Sequence, residues 1–217
     1  FHWMQMLNLG YRLPGVMNTD SHYNYHESGF FRNFIRSSQD DPAQVDVMEL
    51  AHNAEHGRVV VSSGPFMTVT ARSGGGPPVR PGEDLVAPEG RVELEVRVQC
   101  PNWFDVNRVQ VFVNGRPSPE TNFTRRTTPQ HFSDRVVRYE AKIPIELKTD
   151  AHLIVATIGE GLQLGPVMGP EHGKKPPASV ANPIFVDVDG GGFKPNGDLL
   201  GVPLALDTNR PITKSIT

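Results

Sequence analysis

The chain has 217 residues, 37% of them hydrophobic, enough for one large domain or for a short piece joined to a medium domain. Its 24 acidic and 21 basic residues leave a formal charge of −3, which gives no reason to expect nucleic acid or an anionic membrane as partner. The single cysteine, Cys100, excludes an intrachain disulfide. No apolar run approaches the ~18 residues of a membrane-spanning helix, so a soluble chain is expected, with its compartment open and export included.

Gly and Pro are abundant, at 21 and 20 residues, and both punctuate regular structure, so many turns and few long helices are expected. The opening "FHWMQMLNLGYRLPG" reads as the interior of a domain, and upstream sequence is therefore expected. Residues 1–12 can form a helix with Trp3, Met6, Leu7 and Gly10 on one side. "LPGVMNTD" reads as a short buried strand running out into a polar loop, and "FFRNFIR" as helical or irregular. A helix is expected from Asp41, with Asp41 as N-cap, Pro42 at the first position, an apolar face of Val47, Leu50, Ala51 and Ala54, and Gly57 as C-terminal cap.

Beyond Gly57 the pattern turns to β. "RVVVSS" and "FMTVTAR" are separated by Gly64-Pro65, and "RVELEVRVQC" alternates apolar and charged residues through Val92, Leu94, Val96 and Val98. "NRVQVFVNG" repeats the alternation with Val109, Val111 and Val113 and ends in Asn114-Gly115, a strong turn signal. "DRVVRYEAKIPIEL", "AHLIVATIG" and "NPIFVDVDG" complete the set. The reading is mainly β: an antiparallel immunoglobulin-like β-sandwich over residues 65–217, preceded by a small α/β piece over residues 1–64.

Several constellations could carry chemistry. Asp20-x-His22 places a carboxylate and an imidazole two apart; on a strand both face one side and fit zinc, manganese or iron. The alternative is an N-cap Asp and a surface His. His52, Glu55 and His56 match the H-x-x-E-H pattern of inverted zincins, but the helix ends one residue later and no third ligand is evident, so helix-end histidines are the plainer reading. "DVDGGGFKPNGD", from Asp187 to Asp198, lacks the closing Glu and flanking helices of an EF-hand, and a strand ending in a turn is favoured. Asn122-Phe123-Thr124 is a glycosylation sequon, relevant only on a secretory route, and Cys100 reads as a buried structural thiol.

The stretches "GVMNTDSH", "ESGFFRNFI", "ELAHNAEHGRVVVSSGPFMTV" and "GEDL", in this order, resemble the carboxyl-terminal part of PHP-superfamily metallohydrolases, in the CehA/McbA-like branch. The resemblance implies that Asp20 and His22 are the last metal ligands of a catalytic barrel. Gly29, Arg32 and Phe34 match the Gly, Arg and aromatic that follow. Gly57, Arg58 and Ser63-Gly64-Pro65 match the exit from the barrel into an appended β-domain. It implies a metal-dependent hydrolase acting on a small ester or phosphoester through a metal-activated water. His26 and Arg32 are then candidates for an anionic substrate group, with a solvated loop as the alternative. The family's upstream H-x-H pair has no counterpart here, so a missing barrel segment or a partner chain would have to complete the metal site, and the chain by itself is expected to be inactive. A rival reading makes the sandwich a carbohydrate- or protein-binding module, with Trp103, Phe104, Phe123 and Phe132 as an exposed aromatic platform.

Overall fold

The computed structural model describes residues 1–20 and 29–204. In chain order the elements are α1 (His2–Asn8), β1 (Arg32–Ile35), α2 (Val47–Glu55), β2 (Val59–Ser62), β3 (Phe66–Arg72), β4 (Asp84–Val86), β5 (Arg91–Gln99), β6 (Arg108–Val113), β7 (Arg116–Thr124), β8 (Val137–Glu146), β9 (Ala151–Ile158), α3 (Gly169–His172), β10 (Ala178–Ala181) and β11 (Ile184–Asp187). The chain is mainly β, and among the described residues every strand pair but one is antiparallel; β11 and β4 run parallel.

The alternating sequences become half-buried strands, as period-two patterning requires. On β5, Val92, Leu94, Val96 and Val98 are buried while Arg91 and Arg97 face solvent. Each such fully buried side chain contributes on the order of 2 kcal/mol. β5 lies at the centre of a three-stranded sheet ordered β3-β5-β8. Asn114 and Gly115 both take positive φ, 50° and 75°, the turn that matches strand twist, and join β6 to β7 as a hairpin.

The other sheet has eight strands. β9 is its axis: β6 runs along one edge, while β10 and β11 follow each other along the other, interrupted at Asn182-Pro183. β2 and then β1 extend the sheet beyond β10. The two sheets share one core, where Val69, Leu94, Val96 and Tyr139 meet Val109, Val111, Val155 and Ile184. The back of the larger sheet is covered by α1, whose Leu7 packs on Ile154 and Phe185, so β9 is buried on both faces. The position Gly64, drawn as a boundary from composition, lies where the chain crosses from β2 in the larger sheet to β3 in the smaller. Strands before it are hydrogen-bonded to strands far after it, as in β2 with β10.

Four expectations about local structure are corrected. α1 is shorter than residues 1–12, and its buried side includes polar Gln5 and Asn8, because these hold backbone carbonyls of residues 114, 198, 199 and 202. "FFRNFIR" contains a strand, β1, because Val59 to Ser62 offers it a partner edge. "LPGVMNTD" is not a strand. α2 begins at Val47, capped by the Asp46 side chain on Met48 N, while Asp41 closes a separate turn through Ala43 N and Gln44 Nε2. Val47, at 73% exposure, and Ala51 are therefore outside the core, and Asn53 is the buried residue of the helix. Its end is as expected: Gly57 N bonds Ala54 O and Arg58 N bonds Asn53 O.

Candidate functional site

The segment leading to Asp20 is held by two side-chain amides. Gly15 N donates to Asn182 Oδ1 (2.7 Å) and Asn182 Nδ2 donates to Gly15 O (2.8 Å). Two residues on, Met17 N donates to Asn33 Oδ1 (2.9 Å) and Asn33 Nδ2 donates to Met17 O (2.8 Å). Each asparagine presents one donor and one acceptor, as a neighbouring strand would. This replaces the strand expected at "LPGVMNTD": its hydrogen bonds go to side chains of β1 and of the β10–β11 junction.

Asn33 thereby ties the chain just before Asp20 to β1. Asp20 is exposed, in left-handed conformation at φ 51°, and its N–H donates to Asn18 Oδ1 (3.0 Å). The expectation that Asp20 sits on a strand is therefore corrected. His22 and His26 lie outside the described residues. Arg32 opens β1 opposite Ser62, half-buried, with its Nε enclosed and without a hydrogen-bond partner among the described residues. Two residues before β1, Phe30 stacks on His172 at 3.8 Å between ring centres and 10° between planes, and Lys175 Nζ lies 5.3 Å from the Phe30 ring. The anchoring roles of Asn33, Asn182 and Phe30 carry no local signal in the sequence, because each depends on what long-range folding brings beside it.

Asp20 belongs to no group of three close metal donors among the described residues, so the metal fit rests on donor chemistry alone and no reaction step is derived from it. The one such group there is Asp150, Asp187 and Asp189, with ligand atoms within 4.8 Å. Its oxygens are occupied as acceptors. Asp187, at the end of β11, takes the backbone N–H groups of Asp189, Gly190 and Gly192 at 3.2, 2.7 and 2.8 Å. Asp150 takes those of Val188 and Lys194, both at 2.8 Å. Asp189 accepts from Lys194 Nζ (2.5 Å) and Gly191 N (2.8 Å), bonds that hold its carboxyl below the usual range. This is a strand ending in a turn whose amides are satisfied by carboxylates.

The H-x-x-E-H residues lie on the last turn of α2. The His52 and His56 rings are 4.1 Å apart, and His56 Nδ1 lies 2.8 Å from His52 O. A carbonyl only accepts, so that nitrogen carries a proton and closes the helix end. Cys100 is 2% exposed, and burial first, then the Asp105 carboxylate, pushes its thiol up to about 12. It is a structural thiol. The four aromatics do not form one platform: Trp103 is 50% exposed, but Phe104 is 8% exposed, and Phe123 and Phe132 pack around Tyr139. Asn122 of the sequon accepts from Arg108 Nε at 2.9 Å. No helix among the described residues is long and apolar enough to cross a membrane. Comparison with protein-family models, with curated proteins and with solved structures finds no match for this chain.

Proposed function

We propose that this chain is the carboxyl-terminal portion of a metal-dependent hydrolase of small esters or phosphoesters: a remnant of a PHP-type barrel followed by an immunoglobulin-like sandwich. Asp20 and His22 are two ligands of its zinc, manganese or iron site, and His26 and Arg32 receive the anionic part of the substrate. The observation that supports this reading is the Met17–Asn33 clamp, which fixes the chain three residues before Asp20 to the strand that Arg32 opens. A ligand such as Asp20 needs such an anchored neighbour, since metal geometry tolerates little displacement. Two ligands are fewer than the three or four of a tight site, so the chain by itself binds metal weakly and does not turn over substrate. The rival reading as a carbohydrate- or protein-binding module has Trp103 as its one well-exposed aromatic of the four.

The test is metal binding by the purified chain beside an Asp20→Ala/His22→Ala variant. Elemental analysis is expected to find well below one equivalent of zinc, manganese or iron. Added manganese at about 1 mM is expected to broaden the amide resonances of Thr19 and Arg32 in the parent chain and to spare them in the variant. Equal broadening in both proteins, or a full equivalent of metal retained by the variant, overturns the assignment.

A further inference from the structure

The smaller sheet is three strands wide, and β2 and β1 of the larger sheet extend past its β3 edge. The overhang leaves a groove of about 470 Å³ between β3 on one side and β1 and β2 on the other. Phe34 and Val60 line it from the larger sheet and Phe66, which is 41% exposed, from the smaller. Phe34 meets Phe66 edge-on at 4.9 Å where β3 begins, and Arg80-Pro81 lines it where β3 ends.

Three features of this groove point to the same occupant. The first is backbone. Ala71 exchanges both hydrogen bonds with Val79, at 2.9 and 2.8 Å, on the side of β3 away from β5. Strand periodicity turns the N–H and C=O of Met67 and Val69 to that same side, and among the described residues no strand pairs with them there. Val79 is thus a single residue of a fourth strand that goes no further. The second is the apolar floor at the position that strand would cover. The third is charge. Arg36, Arg58 and Arg80 stand around the groove, and among the described residues its lining contains no carboxylate. Glu83 is the carboxylate they share, at 2.9 Å from Arg36 and 3.8 Å from Arg58, with its other oxygen taken by Arg80 N. Three guanidiniums against one carboxylate leave an excess of positive charge.

We propose that an extended, acidic segment of a partner polypeptide binds here as the fourth strand of the smaller sheet. Its main chain bonds to Met67 and Val69, apolar side chains enter between Phe34 and Phe66, and carboxylates meet Arg36, Arg58 and Arg80. Main-chain pairing supplies affinity in such strand addition, and alternate side chains supply selection. An open edge of this kind is otherwise an aggregation hazard, which an occupant removes.

The probe is a fluorescein-labelled hexapeptide, Glu-Val-Glu-Val-Glu-Val, titrated into the whole chain at low salt and followed by anisotropy and by amide hydrogen exchange. The peptide is expected to slow exchange at Met67 and Val69 by about tenfold or more. N-methylation of alternate peptide nitrogens, and separately Arg36→Glu, is expected to weaken binding by about tenfold or more. The methylated peptide tests the pairing even if the variant misfolds. Binding of the methylated peptide within about twofold of the parent peptide overturns the proposal, because apolar and charge contacts alone would then explain it. So does an absence of protection at Met67 and Val69 under saturating peptide. Protection that appears on raising protein concentration without peptide makes a second copy of the chain the occupant, and also overturns it.

Discussion

His152 provides a quantitative test of how the back of the larger sheet is built. It lies on β9 at 0% exposure, and burial lowers its pKa from an ordinary 6.5 to about 4. Its Nε2 lies 2.8 Å from Asn8 Oδ1. Asn8 uses its Nδ2 on the carbonyls of Asn114 and Asp198, so its Oδ1 accepts and His152 holds its proton on Nε2. Nδ1 is left as a bare lone pair, buried without a partner among the described residues, and protonating it would place an unpaired cation under α1. The folded-state pKa is below the unfolded one, so between pH 6.5 and about 4 the unfolded chain binds a proton that the folded chain refuses. Stability is therefore complete above pH 6.5 and falls toward pH 4 at up to about 1.4 kcal/mol per pH unit, with about 2 kcal/mol lost between pH 7 and 4.5. Urea unfolding of the parent chain and of His152→Gln at several pH values isolates this contribution, because the other titrating groups are common to both. The parent is expected to lose about 2 kcal/mol more than the variant over that interval. Parallel pH profiles would refute the reasoning, as would a His152 ring resonance titrating near 6.5.

The carboxylate-closed turn after β11 makes a second prediction. Asp187→Ala strands three backbone N–H groups and is expected to cost about 2–4 kcal/mol in urea unfolding. Calcium at about 1 mM is expected to move the parent's Tm by less than about 1 °C, since the oxygens are already engaged; a rise of several degrees that Asp187→Ala abolishes would show an ion site instead. Gly90 makes a third. At φ 66° it accepts from Leu147 N, and a Cβ there would lie 1.9 Å from Leu147 O. Gly90→Ala is expected to lose about 3 kcal/mol or more, whereas Gly74→Ala, at φ 56° with nothing within 4 Å, should lose only the ~1 kcal/mol of a left-handed alanine. Equal losses in thermal melts would show that steric contact at Leu147 is not what demands glycine.

Much of the β-structure was legible because it is periodic. β5, β6, β8 and β9 each carry apolar alternation or a continuous apolar run, and burial selects for those patterns wherever the strand lies. β7 was missed because "RPSPETNFT" holds two prolines and little apolar residue; as an edge strand paired among the described residues with β6 alone, it tolerates both. β10 was missed because "ASVA" is too short to show a period. The helix at Asp41 was misplaced because Asp46 offers the same capping chemistry five residues later, and Glu49 then reaches back to Ser38 N and Oγ.

For the candidate site, sequence alone supplied the residue types: Asp20, His22, His26 and Arg32 are metal- and anion-binding chemistries wherever they lie, and the NG turn, the Gly57 cap and the buried faces of the long strands are likewise local properties. The tertiary structure decided which distant groups hold them. Asn33 and Asn182 stand in for a strand along Gly15 to Met17, Val79 begins a strand beside β3 that is left unfinished, and a lone histidine on β9 becomes a buried neutral base. Those outcomes depend on partners up to 167 residues away in the chain, and no local pattern encodes a contact at that range. Local periodicity selects a face for burial; long-range packing selects what lies against it.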